Sequence, residues 1–256
     1  MGRQSPAALK LYNRALDLIP DDPQLIAAKA AIYQAEGNLQ EAAKLLIDVN
    51  ERTTSVTAFA TKLDQLRLER NHAEAIRLLQ ARRVQVPSAC DGFEMIHLAF
   101  AQRLVGDTAG AKVTAEQARN TLEPLCKEIP DLEVELALAD AVLGEKDSAL
   151  REAEHAILAA RFHPAVGPTA DNGASEDGDI QRHKAVALEE CLAVIQTVLG
   201  ENKHAISTLT QLLKTPYRSL IYGPAPVAPA VLRLDPIWDP LRTDPDFQKL
   251  CEEKQP

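Results

Sequence analysis

Apolar residues recur along this chain at the spacing of helix faces, and several runs of them end on a glycine. Three segments begin with Leu-Ala and end eight residues later with glycine: residues 98–106, 136–144 and 192–200. An alanine follows each of these glycines after five residues. Apolar positions three and four residues apart predict helices, and glycine favours the left-handed backbone that ends a helix. The pattern therefore predicts pairs of helices joined by short polar turns.

The same unit is present near the start of the chain. Ala42 lies five residues after Gly37, 34 residues after Ala8 and 33 residues before Ala75. Later copies are spaced more widely, and the longest interval, before Ala205, indicates an insertion. A repeat of this length predicts a solenoid, because stacked units bury a continuous core that one unit cannot form alone.

These residues together resemble the tetratricopeptide repeat family. The clearest match is residues 23–55, where Ala30, Tyr33, Gly37 and Ala42 stand in the family's expected places. The resemblance covers about residues 5–216, although most units lack the family's aromatic residues. It implies an all-α fold, a right-handed α-solenoid of about six tetratricopeptide-type helix pairs, with first helices lining a concave surface.

We expect residues 1–216 to form the repeat array and residues 217–256 to form a C-terminal cap. Three Asp-Pro steps follow Leu234, and in each the aspartate is expected to cap a helix that the proline begins. A solenoid needs its last apolar face covered. We therefore expect Trp238 to be buried against the helices of residues 186–214.

Proline and glycine interrupt the helical pattern between residues 163 and 182. This stretch predicts a flexible acidic insertion, since few large apolar residues are available to order it. Its acidic part, residues 171–179, does not have the spacing of a calcium-binding loop, because Glu176 stands where the turn glycine should be.

The cap sequence also resembles the closing sequence of repeat arrays in bacterial multidomain regulators. In those proteins the arrays follow serine/threonine kinase, adenylate cyclase or DNA-binding modules. The resemblance implies a non-catalytic protein–protein interaction scaffold, a regulatory module of a bacterial signalling or transcription protein. The alternative is a non-catalytic part of a larger enzyme whose kinase or cyclase domain lies outside this chain. In either case the partner is another protein or peptide, or an intramolecular domain of a longer parent.

The composition of the chain bears on which classes of partner and which location are expected. The chain has 28 basic and 37 acidic residues, a formal charge of −9. Nucleic-acid binding is not expected, because phosphate contacts require a basic surface. No run approaches 18 apolar residues, so we expect no membrane span. Four cysteines lie far apart without a CxxC pair, which predicts free thiols in a reducing compartment and a cytoplasmic location.

Candidate partner-binding residues come from counting back from each turn. Gln34, Arg67 and Arg103 take equivalent positions on first helices, and Asp64 and Phe100 lie one turn earlier. In a tetratricopeptide array these side chains would line the concave groove, where the arginines could bind an acidic peptide. The alternative interpretation is an ordinary solvated helix face.

We find no sequence signature of a catalytic site, a cofactor site or a metal site. The six histidines never take a paired metal-ligand spacing, and no GxSxG, Walker or GxGxxG sequence occurs. We therefore expect no enzyme activity from this chain.

Overall fold

The fold is helical throughout the part of the chain that the computed structural model describes, residues 5–85, 91–162, 176–223 and 227–252. No strand occurs within these ranges, which confirms the all-α prediction for them. Two 3-10 helices span Pro130–Leu132 and Pro236–Leu241. The α-helices of the described ranges are α1 (Ser5–Leu18), α2 (Pro23–Ala35), α3 (Leu39–Leu45), α4 (Val56–Leu68), α5 (His72–Gln85), α6 (Asp91–Leu104), α7 (Thr108–Cys126), α8 (Glu133–Leu143), α9 (Lys146–Phe162), α10 (Glu176–Val198), α11 (Asn202–Leu212), α12 (Pro229–Leu234) and α13 (Pro245–Glu252).

The helices pack in sequence-adjacent pairs. Helix α2 packs on α3, α4 on α5, α6 on α7, α8 on α9 and α10 on α11. First helices also contact first helices of neighbouring pairs, as α2 does with α4 and α8 with both α6 and α10. Helix α1 precedes these five pairs and packs on α2. The arrangement is compatible with an α-solenoid.

The turns inside the pairs share one backbone geometry. Gly37, Gly106, Gly144 and Gly200 have φ angles between 78° and 88°. The residue after each glycine donates its N–H to the carbonyl oxygen five residues back, at 2.8–2.9 Å. This hydrogen bond satisfies a carbonyl that the helix end would otherwise leave unpaired. The left-handed glycines predicted from the sequence are therefore confirmed.

The α4–α5 turn departs from this pattern in its residue but keeps its geometry. Arg70 stands where the other pairs have glycine, and its φ is 59°. Among the described residues other than glycine, only Arg70 has a positive φ. Asn71 still donates to the carbonyl oxygen of Leu66 at 2.8 Å, so the turn is the same. A side chain in this conformation costs roughly 1–2 kcal/mol.

Replacing Gly106 with alanine should lower the free energy of unfolding by about 1–2 kcal/mol. Nothing lies within 4 Å of the added Cβ, so the cost comes from the left-handed backbone alone. Chemical denaturation followed by circular dichroism measures it. Asparagine tolerates this backbone better than alanine, so Gly106→Asn is the matched control and should lose less stability. Equal losses in the two variants would contradict this explanation.

Small residues bring the two helices of each pair together. The alanine five residues after each turn residue is at most 5% exposed. Its side chain is short enough to let the second helix approach the first closely. These alanines are Ala42, Ala75, Ala111, Ala149 and Ala205.

The chain after α11 packs on the last helix pair and also reaches back to α2 and to the end of α4. The 3-10 helix Pro236–Leu241 packs against α10 and α11, while α12 packs on α13 and contacts α2. Trp238 in the 3-10 helix is completely buried. The prediction that this tryptophan would be buried against the helices of residues 186–214 is confirmed. The largest cluster of buried apolar residues runs from Leu68 in α4 to Leu250 in α13, so cap and array share one core.

Two expectations from the sequence, the insertion and the free cysteines, concern residues that lie partly outside the described ranges. Residues 163–175 of the predicted insertion lie outside them, and α10 begins at Glu176, inside the range expected to be a loop. Cys126, Cys191 and Cys251 are free thiols, as predicted, whereas Cys90 lies outside the described ranges. No helix in the described part of the chain has both the length and the apolar character that crossing a bilayer requires.

Candidate functional site

The five residues expected to bind a partner have different surroundings. Gln34 is buried, and its Nε2 donates to the carbonyl oxygen of Thr61 at 3.1 Å and to Oε1 of Gln65 at 3.0 Å. Phe100 lies in the main apolar core. Arg103 is exposed and donates to the carbonyl oxygen of Val198 at 3.1 Å. Gln34 and Phe100 are therefore enclosed in the protein, whereas Arg103 remains exposed beside the end of α10.

Asp64 and Arg67 form the part of this set that meets another segment of the chain. Both are buried near the C-terminal end of α4, and Arg67 Nη1 lies 2.9 Å from Asp64 Oδ1. Arg67 Nε also donates to Oδ2 of Asp235 at 2.9 Å, across 168 residues of sequence. We call Asp64, Arg67 and Arg70 the docking site, and residues 217–241 the C-terminal segment.

Two aromatic residues complete the contact at Asp235. The guanidinium carbon of Arg67 lies 5.5 Å from the ring centre of Tyr222, within range of a cation–π interaction. The Tyr222 hydroxyl donates to Oδ2 of Asp235 at 2.8 Å and accepts from Nε1 of Trp238 at 3.0 Å. The tryptophan, the tyrosine, the aspartate and the arginine thus form one continuous polar chain inside the core.

Burial and charge act against each other at the docking site. Burial raises the pKa of Asp64 to about 7, although the positive charge of Arg67 opposes the rise. Burial works to lower the pKa of Arg67, but the carboxylates of Asp235 and Asp64 together raise it above its ordinary value. The arginine therefore stays charged and holds its two carboxyl partners in the interior.

Arg70 makes the second contact between the docking site and the C-terminal segment. Its Nη1 and Nη2 each donate to one carboxylate oxygen of Asp239, both at 2.7 Å. Asp239 also accepts from Nε of Arg242 at 2.5 Å. The hydrogen bond from Arg70 lowers the pKa of Asp239. Both side chains of the Arg70–Asp239 pair are about half exposed, in contrast to the buried Arg67–Asp235 pair.

Glu190 in α10 holds the start of the C-terminal segment. Its carboxylate is fully buried and accepts from the hydroxyls of Tyr217, at 3.0 Å, and Ser219, at 2.5 Å. The Ser219 hydroxyl in turn accepts from the backbone N–H groups of Ile221 and Tyr222. The C-terminal segment is therefore fixed to α10 at one end and to the docking site at the other.

Stability should fall between pH 5 and pH 8, in part because of Glu190. Burial raises its pKa from the ordinary 4.5 to about 7, while hydrogen bonds from Ser219 and Tyr217 oppose the rise. Between these two values the folded state binds the proton more tightly than the unfolded state. The stabilisation is therefore complete below about pH 4.5 and is lost as the pH rises through about 7.

Thermal denaturation of Glu190→Gln across this range measures the effect. The amide does not titrate, so the variant should show a smaller fall in melting temperature than the unsubstituted chain. Glu189→Gln, at a partly buried carboxylate one residue earlier that pairs with Arg161, is the control and should keep the pH dependence that comes from Glu190. Parallel pH profiles for the Glu190 variant and the unsubstituted chain would contradict the assignment.

Sequence reasoning found the cap but missed how it is held. Asp235 and Asp244 accept from backbone N–H groups two residues later, at 2.9 and 2.8 Å, as the Asp-Pro steps predicted. The same prediction is wrong for Asp239, which lies inside the 3-10 helix and binds Arg70 instead. Glu190 and Tyr222 were not among the residues expected from the sequence. The one sequence signal of the docking site was Arg70, which stands where the other repeats have glycine.

Within the described ranges, no group of three or more His, Cys, Asp or Glu side chains is placed to hold a metal ion. In comparisons with known proteins, no protein-family model, no curated protein and no solved structure matches the chain.

Proposed function

We propose that this chain is a right-handed, tetratricopeptide-type solenoid that binds another polypeptide and has no catalytic site of its own. The observation that carries the proposal is the docking of the C-terminal segment. Two first helices hold the C-terminal segment through their side chains. Glu190 of α10 binds its start, and Arg67 of α4 binds Asp235 near its end. A surface that fits one polypeptide segment in this way is suited to bind another.

The repeat pattern supports the tetratricopeptide part of the proposal. Each of the five pairs combines a left-handed turn residue with a buried alanine five residues later. The resemblance of the cap to closing sequences in bacterial regulators supports a role as a regulatory module of a signalling or transcription protein. In such a protein the ligand would be a partner protein or another domain of the same parent.

Selection of displayed random peptides on the immobilised chain tests the proposal. We expect enriched peptides whose binding weakens about five- to tenfold in Arg70→Ala or Arg103→Ala, as loss of an interface arginine commonly costs more than 1 kcal/mol. Both arginines are exposed, so the variants should fold. Arg151→Ala, at an exposed arginine on second helix α9, is the matched control. Absence of enriched peptides, or peptides insensitive to both the Arg70 and the Arg103 substitutions, would refute the proposal.

A further inference from the structure

The docking site matches a particular pattern of charge on its ligand. Asp235 and Asp239 are four residues apart, and Arg67 and Arg70 are three apart near the end of α4. Each arginine pairs with one aspartate, Arg67 with the first at 2.9 Å and Arg70 with the second at 2.7 Å. Two charge-assisted contacts at fixed separation give orientation as well as affinity.

An apolar side chain between the two aspartates adds a third contact, which is made with Tyr222 and beside helices α10 and α11 rather than with the docking site itself. Trp238 lies between them in sequence and is fully buried, with its Nε1 bonded to the Tyr222 hydroxyl. Buried tryptophan, tyrosine and arginine side chains are the residues most common in binding hot spots. The recognised pattern is therefore two acidic groups with an apolar group between them.

Arg70 provides independent evidence that this site is kept for its side chain. The other four turns place glycine at this left-handed position, where glycine causes no strain. The α4–α5 turn instead carries an arginine, and that arginine makes the bidentate contact with Asp239. Strain that is retained at a position where a residue makes a specific contact indicates a role for that contact.

We propose that the docking site recognises acidic polypeptide segments with two aspartates four residues apart around an apolar residue, and that residues 235–239 occupy it as an internal ligand. This inference rests on the proposed function, because it names the ligand of the same surface. The ligand is a partner protein that presents such a segment. It displaces residues 235–239 starting at the exposed Arg70–Asp239 pair, since Arg67 and Asp235 are buried behind it.

The ion pair between Arg70 and Asp239 gives a test with two matched variants of the full chain. Asp239→Ala weakens the internal ligand but leaves the docking site intact. Arg70→Ala breaks the same ion pair but also removes one of the two arginines of the site, whereas the Asp239–Arg242 hydrogen bond is lost only in Asp239→Ala. The probe is a fluorescein-labelled peptide with the sequence of residues 229–242, measured by fluorescence anisotropy. A peptide with asparagine at both aspartate positions is its control.

We expect the peptide to bind Asp239→Ala about fivefold more tightly than the unsubstituted chain, which corresponds to losing an exposed ion pair of about 1 kcal/mol. The internal segment competes at a high effective concentration, so freeing the site raises apparent affinity. Arg70→Ala should show no such gain. The asparagine peptide should bind at least about tenfold more weakly, having lost both charge-assisted contacts.

Equal affinity of the two variants for the peptide would overturn the inference, because a purely structural ion pair affects both alike. Equal binding of the aspartate and asparagine peptides would overturn it too. So would dimerisation of Asp239→Ala without peptide binding, since a second copy would then be the occupant. If displayed peptides bind through Arg103 while the aspartate peptide does not, the ligand class is wrong and the proposed function stands.

Discussion

Replacing Trp238 with alanine should lower the free energy of unfolding by about 3–5 kcal/mol, the usual range for a buried large aromatic. The side chain is completely buried and belongs to the core cluster that joins cap and array. Its loss leaves a cavity and leaves the Tyr222 hydroxyl without a donor. Chemical denaturation followed by circular dichroism measures the change, because the variant has no tryptophan to report by fluorescence.

Trp238→Phe separates the two contributions. Phenylalanine fills most of the space but cannot donate to Tyr222, whose hydroxyl keeps its hydrogen bond to Asp235, so it should lose about 0.5–1.5 kcal/mol, the net contribution of one hydrogen bond. The unsubstituted chain should emit at the short wavelength of an indole shielded from water. A water-like emission together with an alanine variant of unchanged stability would contradict burial and make Trp238 a candidate anchor for a partner.

Replacing Arg67 with alanine should cost about 3–5 kcal/mol, as expected when one partner of a buried ion pair is removed. The carboxyls of Asp64 and Asp235 would be left in the interior without a counter-charge. The loss should be smaller at pH 5 than at pH 8. Without the arginine, its opposing charge no longer limits the rise that burial causes in the pKa of Asp64, so proton uptake stabilises the folded state more as the pH falls.

A double substitution tests whether the unpaired charge is the cause. Asp235→Asn keeps an oxygen that can accept from Ile237 N–H but removes the charge. Combined with Arg67→Met, it should recover about 1 kcal/mol or more relative to Arg67→Met alone, a coupling typical of residues in direct contact. Additive effects of the two substitutions would show that Arg67 stabilises the protein by packing alone.

The periodic features of this fold could be predicted from sequence because they repeat. Glycine at a turn and alanine five residues later recur in four of the five described pairs and impose the same local geometry, so each copy supports the others. Burial of Trp238 could be predicted for a different reason. A stack of helices leaves an apolar end, and few large apolar residues after α11 could cover it.

The docking site could not be predicted in the same way. The contact between Arg67 and Asp235 joins residues 168 apart, and such a pair leaves no periodic signal in a single sequence. Counting back from the turn located Arg67 on its helix face, but it did not show which group that face would meet. A charged residue such as Arg67 is expected to be exposed on a helix, so its identity gave no indication that the C-terminal segment would bury it.

The ion pair between Arg67 of α4 and Asp235 of the C-terminal segment also affects how the chain folds during synthesis. Asp235 is translated 168 residues after Arg67. At typical rates of translation this interval lasts on the order of ten seconds. Local helix pairs form far faster, so the early pairs can be in place while Arg67 still lacks its distant partner. The fold of the described helices therefore cannot be completed until the C-terminal segment has been made, because Arg67 and Arg70 find their partners only there.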